Sequence, residues 1–101
     1  MSVLSVTTTA RDVFSGSTNL DGLNFKNGDT TGTVFLRNKQ VKRNVVTSTD
    51  YEWSLGAGQA IGFTKVNDGE GIVGPWEAIS DDAAGVTFEV LPIFKPGAGQ
   101  R

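Results

Sequence analysis

Gly71-Ile-Val-Gly-Pro-Trp-Glu-Ala-Ile-Ser-Asp-Asp-Ala-Ala-Gly-Val-Thr-Phe-Glu-Val-Leu-Pro-Ile-Phe94 reads as one buried strand with its lead-in. Val86, Phe88 and Val90 alternate with Thr87 and Glu89, the period of two expected of a strand with one apolar and one polar face. Asp81-Asp82-Ala83-Ala84-Gly85 supplies the turn before it, and Gly74-Pro75-Trp76 is expected to end an earlier strand with the indole folded over the core edge. Leu91 and Ile93 are apolar where the alternation calls for polar residues, so the strand is expected to finish covered on both sides. Pro92 has no N–H to give to a ladder and marks an edge or a bulge. A strand of this kind needs a second sheet, or the far wall of a barrel, to bury its apolar face.

The rest of the chain offers that surface in short pieces. Residues 3–9 are β-branched and predict a first strand with Leu4 and Val6 inward. Residues 11–21 are polar apart from Phe14 and Leu20 and predict an irregular N-terminal arm, placed at residues 1–22, over the surface. Asn27-Gly28 marks a tight reversal between Phe25 and a strand over 33–37, in which Val34 and Leu36 face one way and Phe35 the other. Asn38 sits at the next turn, where its amide can cap its own backbone. Val41, Arg43 and Val45 alternate with Lys42 and Asn44, which predicts a third strand with a basic face. Tyr51, Trp53 and Leu55 share one side of a further strand, Ala60 to Phe63 form a short one, and Asn67-Asp-Gly69 signals a hairpin. About seven short strands at roughly 8–12-residue spacing, with no significant helix, predict an all-β fold, a single antiparallel β-sandwich or small barrel. The β domain is expected to occupy residues 1–95, with 96–101 a flexible tail.

Composition bounds the function. At 101 residues there is room for one domain and one modest core, and 38% hydrophobic residues in short runs argue against a disordered chain. There is no Cys and no His, which removes disulfides, thiolate nucleophiles, Cys/His zinc sites and every His-based acid–base mechanism. A net charge of −2 disfavours nucleic acid as a ligand. No run approaches the roughly 18 apolar residues of a membrane span, and the N-terminus lacks a signal-peptide pattern, so synthesis in the cytoplasm is expected. Arg37, Lys39, Lys42 and Arg43 weight the first half basic, whereas Asp68, Glu70, Glu77, Asp81, Asp82 and Glu89 weight the second half acidic. This asymmetry suggests two faces of opposite sign suited to docking; the plainer alternative is a solvated strand.

Catalytic sets are absent from the pattern. Asp81-Asp82 lies in a turn, where adjacent carboxylates act as caps rather than as an acid–base pair. Asn67-Asp-Gly-Glu70 offers closely spaced oxygens but lacks the distal Glu of a calcium loop, and the Gly-rich turns lack the Lys-Ser/Thr of a phosphate loop. No enzyme, no metal and no cofactor are expected. Tyr51, Trp53 and Trp76 could stack on a sugar, making a carbohydrate-binding or adhesin-like module the alternative function; packing in a lean core is the simpler use of such rings.

Leu4-Ser-Val-Thr7, Phe25-Lys-Asn-Gly-Asp29, Thr33-Val-Phe-Leu-Arg-Asn38, Gly56-Ala-Gly58, Gly74-Pro-Trp76 and Gly85-Val-Thr-Phe88 occur in an order that resembles small all-β virion proteins of tailed bacteriophages. The resemblance spans residues 3–93 and departs at Ile61 to Val73 and in the Gly-rich tail, so no residue role is carried over. It implies a capsid decoration or cement protein on the virion surface, oligomeric, with the major capsid protein or other virion subunits as partners; a neck or tail component is the variant. Many weak copies on a lattice would bind by avidity. The contact surfaces expected are the N-terminal arm, through Arg11 and Phe14, and the basic strand, through Arg37, Lys39, Lys42 and Arg43.

Overall fold

A computed structural model describes residues 2–17 and 19–94. The flexible tail expected at 96–101 lies outside the described residues. Eight strands form two four-stranded sheets. Sheet A has the order β1 (Ser2–Val6), β8 (Val86–Phe94), β3 (Leu20–Asn27), β6 (Ala60–Thr64). Sheet B has the order β2 (Arg11–Phe14), β7 (Trp76–Ser80), β4 (Val34–Asn38), β5 (Trp53–Leu55). All neighbouring pairs are antiparallel, and because the strands divide into two separate sheets the fold is the sandwich of the two architectures expected, not the barrel. Among the described residues the helical pieces are one turn, α1 (Lys65–Asp68), and a 3₁₀ turn at Gly69–Val73.

Alternation places the core. Val86, Phe88 and Val90 on β8 are at most 1% exposed, and they meet Leu23 and Phe25 on β3 and Val6 on β1. Sheet B contributes Val13, Val34, Leu36, Leu55, Trp76 and Ala78. Each large apolar side chain so buried is worth about 1.5–3 kcal/mol relative to exposure. Rings concentrate at one end, where Phe25 lies 5.1 Å from Trp76 and Phe63 lies 4.9 Å from Trp76. Two buried polar ties cross between the layers. Asn27 of β3 donates from Nδ2 to the Leu55 carbonyl at 3.1 Å, and Ser80 of β7 donates from Oγ to the Val6 carbonyl at 2.6 Å. Both satisfy groups that burial would otherwise leave unpaired.

Several local expectations give way. Residues 11–14 form β2 instead of an irregular arm, pairing with β7 through a register shift between Asp12 and Phe14, and β1 is fully integrated into sheet A. Asn27-Gly28 does not close a hairpin, because β3 and β4 belong to different sheets; the left-handed residue of that connection is Gly32, at φ +88°. Residues 41–45 form no strand but part of a long connection, 39–52. The Asn67-Asp-Gly69 hairpin is instead α1, capped by Thr64, whose hydroxyl accepts from the Asn67 N–H at 3.2 Å. Trp76 opens β7 rather than ending a strand, and at 1% exposure it is central to the core, not draped over its edge. Leu91 and Ile93 are 43% and 48% exposed. The pleat keeps its period through Pro92, so these two stay on the outward register, and none of the described elements forms a layer over them.

Candidate functional site

The expected basic surface is dismantled by the fold. Arg37 lies on the outward face of β4 yet is fully buried, because connection 39–52 folds back over it. Its Nε donates to Glu52 at 3.1 Å, its Nη2 donates to Asp50, and its Nη1 donates to the Asn44 carbonyl at 3.0 Å. The hydrogen bonds it donates to Glu52, then to Asp50, raise its pKa above the usual arginine value. Asp50 is held below the usual carboxylate range by its bonds to Arg37 and then Lys42. Arg37 is therefore the pin of a strap, and it cannot reach a partner.

The other cations divide between internal and exposed roles. Lys39 pairs with Glu77 at 3.5 Å, and Lys42 with Asp50 at 3.0 Å. Glu77 in turn accepts the N–H of fully buried Val46 at 2.8 Å, holding the middle of the strap down. Arg43 is exposed. Arg11 is exposed and reaches the Ser5 carbonyl at 3.2 Å, while Phe14 is half-buried and packs on the core. Thus Arg37 and Phe14 are structural in position, Lys39 and Lys42 are spent on acidic partners within the strap, and Arg11 lies apart on β2. Of the acidic residues grouped into the second face, Glu77 pairs with the basic set through Lys39, while Arg37 and Lys42 are held by Asp50 and Glu52 of their own connection.

A surface missed by sequence reasoning lies on the opposite side. On the outward face of sheet A the register aligns Val3, Glu89, Lys26 and Ala60 in one row. Leu91, Asn24 and Gly62 form the next, and Ile93, Gly22 and Thr64 the last. Val3 is 59% exposed, so with Leu91 and Ile93 it makes an apolar corner. Beside it the backbone is exposed at Gly62, whereas Gly22 is buried beneath the Ile93 side chain, and a shallow groove runs over Gly62 between Leu91 and Ala60. A Cβ at Gly62 would stand 2.5 Å from Asn24 Oδ1, so this floor has no room for a side chain without displacing Asn24. Among the described residues β8 beyond Val90 pairs with β3 alone, which leaves its other edge open and explains how Pro92 is tolerated. Leu91 and Ile93 carried the signal in the sequence, as apolar residues on the polar register of a strand.

Among the described residues no group of three or more Asp or Glu side chains converges as a metal site would require. The candidate carboxylates serve the backbone: Asp81 accepts from Thr33 N at 2.8 Å, Asp82 from Ala84 N at 2.9 Å, and Asp68 from Thr64 N at 2.8 Å. The rings considered for sugar stacking do not form a platform. Trp76 is interior, Trp53 packs half-buried against it at 5.3 Å, and Tyr51 leans on Phe35 at 4.8 Å on the outward side of sheet B. Set against protein families, characterised proteins and solved structures, the chain finds no match in any of the three.

Proposed function

We propose that this chain is a non-enzymatic virion structural protein, a decoration or cement protein that docks on the capsid lattice through the outward face of sheet A. The observation that carries the proposal is the exposed apolar corner of Val3, Leu91 and Ile93 beside the exposed backbone at Gly62. Contiguous exposed apolar residues on a small protein mark an interaction surface, and a flat floor allows close approach of another protein. The resemblance to tailed-phage virion proteins supplies the partner, and the open edge of β8 supports assembly of several copies. The basic residues are not needed for this docking, because Arg37, Lys39 and Lys42 are engaged within the molecule.

The test is co-sedimentation with capsids that lack the protein. Leu91→Glu combined with Ile93→Glu should abolish attachment while circular dichroism and thermal unfolding stay unchanged. Lys42→Glu combined with Arg43→Glu should attach normally. Attachment of the first double variant at wild-type occupancy would remove sheet A from the account.

A further inference from the structure

At the end of the sandwich where the rings gather, a hollow of about 160 Å³ opens to solvent, away from the outward face of sheet A. Trp53, Phe63 and Trp76 wall it, with Val41, Asn38 and Asp68 contributing to the lining. Its shape is set by packing. Trp53 meets Phe63 edge-on at 5.0 Å and 73°, and the Trp76 indole is locked by its N–H to the Ile72 carbonyl at 3.0 Å. Phe63 and Trp76 are nearly enclosed, so Trp53, half-buried, offers the accessible ring surface.

The electrostatics of this hollow have one sign. Aromatic faces carry negative potential, and among the described residues no Lys or Arg lines the space and Asp68 forms no ion pair. Its carboxylate accepts only the Thr64 N–H and keeps capacity for a cation. The volume is below the roughly 300 Å³ of a drug-sized pocket, so only a head group fits. We infer that the hollow binds a methylated ammonium, a cation whose methyl surface suits ring walls and whose charge suits Asp68. An ordinary ammonium is more strongly hydrated and loses more on entering an apolar cage. This inference is independent of the docking face on sheet A.

Tryptophan fluorescence, or the indole N–H signals by NMR, can be followed in the full chain as tetramethylammonium or choline is added, with sodium chloride matching ionic strength. A saturable response is expected, with the uncharged isostere 3,3-dimethylbutan-1-ol at least about tenfold weaker. Asp68→Asn, which can still accept from Thr64, should weaken choline several-fold and leave thermal unfolding unchanged. Flotation with phosphatidylcholine vesicles would assign the source as a lipid head group, and response to the solutes alone would assign a free small molecule. No saturable response by roughly 100 mM, or equal binding of the uncharged isostere, overturns the proposal.

Discussion

The outward faces of the two sheets are built from the same alternation and end in opposite states. On sheet B, connection 39–52 lies over the face, and polar outward residues such as Arg37 and Glu77 become buried and fully paired. On sheet A none of the described elements lies over the face, and apolar outward residues, Leu91 and Ile93, are exposed. At Arg37, Glu77, Leu91 and Ile93 polarity in the sequence therefore predicted exposure the wrong way round. Outward register says only that a side chain leaves the central core; whether it meets water depends on what the chain later places above it. A covered face suits stability and an open one suits contact.

The largest effect belongs to the interior that both sheets share. Trp76→Ala should cost about 4 kcal/mol in urea unfolding, because the ring touches Phe25 and Phe63 of sheet A from β7 of sheet B. Retention of wild-type stability would mean the layers are not packed through this residue. Next comes the strap. Arg37→Leu should lower stability by about 2–3 kcal/mol and expose residues 39–50 to proteolysis, since the guanidinium holds Glu52, Asp50 and the Asn44 carbonyl together. If cleavage there stays as slow as in wild type, the cover is fastened by something else.

The open face should behave in the reverse manner. Leu91→Glu with Ile93→Glu is expected to change unfolding stability by less than about 0.5 kcal/mol per site while removing attachment, the signature of a surface kept for a partner. Loss of folding on this substitution would show the face to be covered in solution. The smallest effect is on pH dependence. Asp50 has its folded-state pKa lowered below the ordinary 3.8 by Arg37 and Lys42, so its contribution is fully present above that value. It is lost as pH falls through the lower, folded-state value. Urea midpoints of wild type and Asp50→Asn should thus differ at neutral pH and draw together on acidification, whereas parallel curves would show that the strap pairing has no energetic role.

Much of the fold was legible. Val86, Phe88 and Val90 point inward as their alternation requires, Val34 and Leu36 oppose Phe35, and Asn38 caps its turn by accepting from Gln40 N at 3.0 Å. The failures share a cause. Residues 11–14 and 76–80 become strands because they pair with each other across the edge of sheet B, from opposite ends of the chain. Residues 41–45 alternate as well as β4 does, yet join no sheet and lie instead in the connection that folds back over Arg37. Arg37 carried no sign of burial, since its acidic partners return from the far side of a long connection.

Taken alone, the sequence determined the all-β class and the inward residues of most strands, because the pleat is a local property that repeats every second residue. Tertiary structure alone decided which strands share a sheet, that Arg37 fastens a strap, and that Leu91 and Ile93 stay bare. Those outcomes rest on contacts between segments far apart along the chain, whose energies no local pattern encodes.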